Sequence, residues 1–139
     1  MVRFKSRYLL FEILYPEHKQ FHEIPAVPSG NQLTSSLLSK QIRAAVHENF
    51  GDHGLGSVQS NLSIKYFSPR TSTGILRVAR QHYRIAWAAL TLIHELLGQK
   101  VVIRVVRTAG TIKRAEMAAI ERNASDIRLL SIHDEVEEI

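Results

Sequence analysis

Residues 65–114 carry ten basic side chains and a single acid, Glu95, which is a net charge of +9 within fifty residues. The same segment is rich in Val, Ile and Leu, so it can also contribute to a hydrophobic core. A folded segment of this charge repels itself unless an anionic partner neutralises it. The combination predicts a folded, cationic surface, for which nucleic acid is the first partner to consider.

The whole chain has 139 residues, a net charge of +5 and no cysteine. This length suits one domain, and the missing cysteines exclude disulfides and thiolate metal sites. No apolar run approaches the roughly 20 residues of a membrane span. We expect one RNA-binding domain over residues 1–133, with a proline-containing insertion at 16–30. Residues 134–139 hold four acids and no base, and we expect a frayed, disordered acidic tail there.

The spacing of apolar residues predicts strands over residues 3–15, 57–67, 74–80 and 100–108, and helices over residues 33–50 and 83–97. Thr111 is expected to cap a last helix that runs toward Leu130. In the first strand the alternation switches after Arg7, which a β-bulge or burial on both faces would explain. The run GDHGLG after the first helix is predicted to be a turn, and Gly98 is predicted to end the second helix.

This order, β-α-β-β-α-β with an additional C-terminal helix, is typical of the split βαβ arrangement of ferredoxin-like or RRM-like α+β sandwiches. In that arrangement two helices pack on one sheet face and leave the other face open. Lys65, Arg77 and Arg104 would then project from three different strands onto the open face. We expect this face to bind RNA, although a solvated sheet face with scattered charges is the alternative.

Other patterns speak against more specific chemistry. The third strand, GILRVAR, lacks the aromatic residues with which RRM domains stack bases, so recognition of RNA backbone and shape is favoured over stacking. The GDHGLG run lacks the Lys-Ser/Thr ending of a phosphate-binding loop. Two pairs of histidines, His18 with His22 and His47 with His53, are interpreted as surface residues rather than metal ligands.

The predicted helix 83–97 is apolar on nearly all sides, whereas a surface helix needs only one apolar stripe. Either the C-terminal extension buries it or a partner protein does. In the second case Trp87, Leu92 and Leu96 are the candidate partner-binding residues, with Trp87 as the anchor.

Four segments together resemble the Pop-five subunit family of ribonuclease P and ribonuclease MRP, and the proline-containing insertion resembles fungal, hence eukaryotic, members. No single segment is a strict motif, but their order and spacing make the similarity specific. The segments are VRFKSRYLLFEI, FGDHGLG, LSIKYFSPRTSTGILRVARQHYRIAWAALTLI and RVVRTAGTIKRAE.

The resemblance implies a non-catalytic, RNA-binding subunit that stabilises the catalytic core of the RNA subunit. It implies that the RNA performs the cleavage with magnesium ions, and that the protein itself binds no cofactor. The implied partners are the ribonuclease P/MRP RNA, a TIM-barrel-like protein subunit, other subunits of the particle and, indirectly, precursor tRNA. The implied roles are 5′ maturation of precursor tRNA and processing of precursor rRNA, in the nucleus and nucleolus, without a membrane.

Basic residues at the positions of the family's elements, and others close to them, are the candidate RNA contacts. The candidates are Arg3, Lys5, Arg7, Lys65, Arg70, Arg77, Arg80, Arg84, Arg104, Lys113 and Arg114. Three alternatives remain open at this point: a nuclease that uses a histidine, a protein-interaction module whose charge serves solubility, and an RNA-binding protein unrelated to ribonuclease P.

Overall fold

A computed structural model describes residues 5–16, 33–69 and 71–122 of the chain. A short 3-10 turn, Arg80–His82, precedes the second helix. Residues 112–122 form a further helix, α3. The other elements are β1 (Ser6–Leu14), α1 (Ser35–Val58), β2 (Ser63–Ser68), β3 (Thr73–Ala79), α2 (Tyr83–Leu92), β4 (Glu95–Leu96), β5 (Gln99–Lys100) and β6 (Val102–Ala109).

Four of the strands form one sheet in the order β2-β3-β1-β6, and every neighbouring pair is antiparallel. This is the strand order of the split βαβ arrangement, so the predicted ferredoxin-like α+β fold is confirmed. The described residues contain no helix that is long and apolar enough to cross a membrane.

The main hydrophobic core lies between this sheet and helices α1 and α2. Strand β1 contributes Leu9, Phe11 and Ile13, which alternate along the strand and therefore share one sheet face. Helix α1 packs Leu38 and Ile42 against them, four residues apart on one helix face. Burial of this core places the two helices on one side of the sheet, as the sequence predicts.

The opposite sheet face is not open, which corrects the predicted architecture. Helix α3 covers it and packs Ala115, Ala118 and Ala119 against Leu10 and Ile75 of the two central strands. These alanines let the helix backbone approach the sheet closely, and burial of the two large side chains stabilises the contact. Strand β1 is therefore buried on both faces, and a register shift against β6 between Leu10 and Phe11 adds a bulge.

Ion pairs also hold α3 to the sheet. Glu12, only 6% exposed, projects from β1 toward α3. Its two carboxylate oxygens accept hydrogen bonds from Arg104 of β6 and Arg122 of α3. A buried carboxylate needs such partners because desolvation of an unpaired charge is costly.

Helix α1 is longer than predicted because the GDHGLG run is helical rather than a turn. The chain kinks at Gly51, whose φ of 69° lies in the left-handed region, and then continues helically to Val58. Val58 is fully buried and Leu55 packs against the main core. Burial of these two side chains offsets the low helix propensity of the three glycines.

Helix α2 is shorter than predicted, ending at Leu92 rather than near Leu97. A two-stranded hairpin, β4 with β5, follows it. Its turn consists of Leu97 and Gly98, both with positive φ, as a type I′ turn requires. Gly98 thus turns a hairpin instead of ending a helix.

Strand β2 starts at Ser63, so residues 57 and 58, predicted as strand, belong to α1. Its register against β3 shifts between Ile64 and Tyr66, which makes Lys65 the bulged residue. As a result Ile64 and Phe67 pack toward the main core. Tyr66, predicted on the same face as Ile64, lies instead beside Ile75 on the α3 side.

Candidate nucleic-acid interface

Eight cationic side chains gather at one end of the sheet. Because β1 is antiparallel to both β3 and β6, the start of β1 lies beside the ends of those two strands. Helices α2 and α3 each begin just after one of these strands, so they begin at the same end. We call this surface the basic end; it comprises Lys5, Arg7, Arg77, Arg80, Arg84, Arg107, Lys113 and Arg114.

Backbone pairing brings its segments together from distant parts of the chain. Ser6 is opposite Ala79 in the sheet, and one residue further the Arg80 amide donates to the Lys5 carbonyl at 2.9 Å. On the other side of β1, Arg7 Nη1 lies 3.7 Å from the position that a Cβ on Gly110 would occupy. The turn into α3 therefore touches the start of β1.

The charge at this end is not neutralised within the described part of the chain. No described carboxylate forms an ion pair with any of the eight side chains. Glu12 pairs instead with Arg104 and Arg122, and Asp52 pairs with His47. The amino termini of α2 and α3 add the positive ends of two helix dipoles. Together these features make the basic end electrostatically suited to an anionic ligand.

The eight side chains differ in how they are held. Arg7 donates to the Ser6 carbonyl at 3.2 Å, and Arg77 donates through Nε to the Ser6 hydroxyl at 3.1 Å. These two are half-buried and are oriented by the start of β1. The other six, Lys5, Arg80, Arg84, Arg107, Lys113 and Arg114, are exposed and present their charge to solvent.

Arg84 additionally contacts an aromatic ring. Its guanidinium carbon lies 6.0 Å from the centroid of the Tyr83 ring, within the range of a cation–π contact. A side-chain hydrogen bond to Tyr83 raises the pKa of Arg84 further, and an arginine is charged at physiological pH in any case.

The basic end unites seven of the predicted RNA contacts and adds one that the sequence interpretation missed, Arg107. Lys65 lies apart, exposed at the bulge of the edge strand β2. Arg104 is also apart, because it donates a hydrogen bond to Glu12, which also accepts one from Arg122 of α3. The expectation that Lys65, Arg77 and Arg104 share an open face is therefore wrong, and Arg3 and Arg70 lie outside the described residues.

Helix α2 separates two grooves with different linings. One groove, which we call the Trp87 groove, is open and has a volume of about 330 Å³; it is lined by Tyr83, Trp87, Val105, Val106, Arg107 and Thr108. The other, the Leu92 groove, lies against α1 and contains Leu92, Glu48 and Glu95.

The candidate partner-binding residues fall into three different environments. Trp87 is 40% exposed and Leu92 is 51% exposed, each in its own groove. Leu96 is only 3% exposed within the main core, so it cannot contact a partner, contrary to the prediction.

The histidine pairs do not form a metal site within the described ranges. There, no three His, Asp or Glu side chains lie close enough to hold a metal ion. His47 Nε2 lies 2.7 Å from Asp52 Oδ1 at the kink of α1, and both side chains are exposed. His18 and His22, like most of the 16–30 insertion and the 134–139 tail, lie outside the described residues.

The fold and the basic end define a small α+β domain of ferredoxin-like topology that presents a cationic surface. Its sequence matches the family model described as the Rpp14/Pop5 family over residues 7–120, and the chain belongs to this family.

Similar proteins agree with this assignment. Over the full length of both chains, this chain is 65% identical to the ribonuclease P/MRP protein subunit POP5 of Schizosaccharomyces pombe. It is 34% identical to the subunit of the same name in Saccharomyces cerevisiae, over 94% of this chain and 82% of that one. It is 33% identical to ribonuclease P protein component 2 of Pyrococcus horikoshii, over 81% of both chains.

A solved structure supports the fold independently. A chain in the cryo-EM structure of yeast ribonuclease MRP has a similar fold, with a TM-score of 0.56 over 92% of this chain and 98% of that chain. At 11% sequence identity this likeness concerns the fold alone.

Proposed function

We propose that this protein is a non-catalytic subunit of ribonuclease P and ribonuclease MRP that binds their RNA through the basic end. The observation that carries the proposal is the gathering of eight cations without a described acidic partner on a member of the Rpp14/Pop5 family. Each lysine or arginine that meets a phosphate releases counterions, which favours binding to folded RNA.

In this proposal the RNA carries out the cleavage with its own magnesium ions, and the protein holds the RNA in shape. Phosphate contacts position a protein on RNA without reading its sequence. The basic end is therefore suited to a place where RNA strands approach one another, because cations there relieve the repulsion between backbones. The protein needs no metal or cofactor of its own for this role.

We place the contact with other protein subunits, among them the TIM-barrel-like subunit, at the Leu92 groove. Leu92 is exposed there beside Glu48 and Glu95, which would repel a phosphate backbone. An exposed leucine rimmed by carboxylates and amides is suited to a protein surface with apolar and basic side chains.

In the cell we place the protein in the nucleus and nucleolus. There the particle would mature the 5′ ends of precursor tRNA and process precursor rRNA. The names of the fungal relatives, which are subunits of both particles, support this assignment.

The test is purification of the tagged full-length chain from cells, followed by sequencing of the bound RNA. We expect the ribonuclease P and MRP RNAs to be enriched, together with the other protein subunits. A basic-end variant, Arg80→Gln with Lys113→Gln, should lose most of this RNA. A charge-matched control, Lys40→Gln with Lys100→Gln, should retain it, because these residues lie outside the basic end.

Two results would contradict the proposal. One is co-purification of unrelated RNA only, which would favour a general RNA-binding protein. The other is cleavage of precursor tRNA by the purified protein without RNA subunit, which would favour a nuclease.

A further inference from the structure

We propose that the Trp87 groove binds an unpaired nucleotide of the RNA, with the base stacked on the Trp87 indole and the flanking phosphates held by Arg84 and Arg107. This inference rests on the proposed function and adds a second kind of contact to it. The basic end alone would bind any phosphate backbone, whereas this groove would select a nucleotide outside a helix.

The aromatic geometry of the groove provides the stacking surface. The Tyr83 and Trp87 rings lie on successive turns of α2, with centroids 6.5 Å apart and planes inclined by 35°. Trp87 remains 40% exposed beside the sheet edge, so part of its indole is available to a ligand. Stacking on an aromatic side chain accepts any base, since every base has a π face.

The charge of the groove favours a nucleotide over an apolar protein segment. Arg107 lines it, and the guanidinium carbon of Arg84 lies 6.0 Å from the ring centroid of Tyr83, which also lines it. Neither arginine forms an ion pair with a described carboxylate. A nucleotide presents an apolar face and negative phosphates a few ångströms apart, which is the combination that this groove complements. The Leu92 groove, on the other side of α2, has the opposite charge.

The edge of the sheet supplies hydrogen-bond donors and acceptors for the edge of a base. Strand β6 lies at the end of the sheet, so the backbone N–H and C=O groups of its outer edge have no strand partner in the described part of the chain. Thr108, whose side chain carries a hydroxyl, also lines the groove. An unpaired base exposes its Watson–Crick edge, and such donors and acceptors can hydrogen-bond to it.

The first experiment uses the intrinsic fluorescence of the full chain, because Trp87 is the only tryptophan. A short single-stranded oligouridylate should quench this fluorescence as it binds. Two controls with equal phosphate content are a blunt RNA duplex and an inorganic polyphosphate. Both should bind, as measured by competition with a labelled RNA, but neither should quench the fluorescence comparably.

The second experiment compares variants by the anisotropy of labelled RNA. Trp87→Ala should weaken binding of the single strand about tenfold, from the loss of one stacked base, and leave duplex binding unchanged. Trp87→Phe should restore most of the affinity. If the alanine variant fails to fold, the quenching measurement on the unmodified chain still tests the inference. Met117→Ala is the matched control, because Met117 is an exposed apolar side chain that does not line the groove, and it should change neither affinity.

The outcomes separate this inference from the proposed function. If the duplex binds and the single strand causes no quenching at saturation, the groove does not stack a base and only this inference fails. Equal quenching by duplex and polyphosphate would also overturn it. If RNA alone causes no quenching and the addition of another protein subunit does, the groove is a protein interface and this inference is wrong. If none of the RNAs binds, the proposed function fails as well.

Discussion

At the scale of the residue, Glu12 shows how one acid changes the role of a cation. Its side chain is 8% exposed, whereas those of Arg104 and Arg122 are 57% and 37% exposed. Loss of the arginines would leave a desolvated carboxylate without partners, while loss of Glu12 would leave two arginines that water can still reach. Arg104 is therefore engaged by Glu12, and we expect it to stabilise the contact with α3 rather than to bind RNA.

We predict that Glu12→Gln lowers the free energy of unfolding by about 2 kcal/mol, since it removes two charge-assisted hydrogen bonds to partly solvated partners. Urea denaturation measures this loss, and hydrogen exchange should show faster exchange in residues 112–122. Glu116→Gln, at an exposed position of α3, should leave both measurements unchanged. Equal stability of the Glu12→Gln protein would show that the alanine contacts alone hold the helix.

A second residue, Gly74, is required by packing. It is opposite Phe11 in the sheet, and a Cβ at this position would lie 2.5 Å from Phe11 Cζ and 3.0 Å from the Tyr66 carbonyl oxygen. Both neighbours are part of the sheet, so the overlap can be relieved only by moving the ring or the strand.

Gly74→Ala should therefore destabilise the protein by about 1–3 kcal/mol, the usual cost of overpacking a core. Combining it with Phe11→Leu should cost less than the sum of the two single changes, because the smaller side chain makes room for the methyl group. Thermal unfolding of the four proteins in this cycle measures the coupling. Gly56→Ala, where a Cβ meets nothing within 4 Å, is the control. Strict additivity would contradict the proposed overlap.

At the scale of the element, the hairpin β4–β5 illustrates a competition between local and tertiary preferences. The spacing of apolar residues predicts that the helix continues to residue 97, yet the hairpin that forms there buries Leu96 and Val101 in the main core. A helix continuing from Leu92 would place one or both of these outside that core. The chain accepts a strained turn instead, with Leu97 at a φ of 51° and 50% exposed.

Leu97→Asn should stabilise the protein by up to about 1 kcal/mol, because a left-handed conformation costs an ordinary residue about 1–2 kcal/mol and asparagine less. Thermal unfolding measures this gain, and Gly98→Ala in the same turn should have the opposite effect. A decrease in stability for Leu97→Asn would mean that the exposed leucine contributes more through packing than its backbone angle costs.

At the scale of the whole molecule, the basic end depends on all segments being folded together. It combines the start of β1, the ends of β3 and β6 and the first turns of two helices. Its residues are spread from position 5 to position 114 of the chain. Local unfolding of any one segment would disperse the charge.

We predict that Arg80→Gln with Lys113→Gln flattens the slope of log affinity against log salt by about 1.4, which is 0.7 for each lost phosphate contact with RNA of single-stranded character. Filter binding at a series of salt concentrations measures the slope. Arg104→Gln should leave the slope unchanged while lowering stability. If instead Arg104→Gln flattens the slope and the double variant does not, the RNA lies on the α3 side of the sheet.

Much of the fold was predictable from local pattern. The strand order, the helix-capping Thr111, whose hydroxyl accepts from the Arg114 amide at 3.3 Å, and the family membership all follow from short segments and their spacing. The kink at Gly51 and the bulge at Lys65 were not predictable, because each depends on which side chains the completed core buries.

The sequence by itself determined that the protein is a cationic α+β domain of this family, since composition, periodicity and segment order are properties of the chain. Only the tertiary structure decided which cations act together. Arg104 and Arg107 are three residues apart on β6, yet Arg104 pairs with Glu12 whereas Arg107 lies at the basic end. The reason is the register of β6 against β1, with its bulge at Val106. That register is set by the burial of both sheet faces, and not by any residue near the two arginines in sequence.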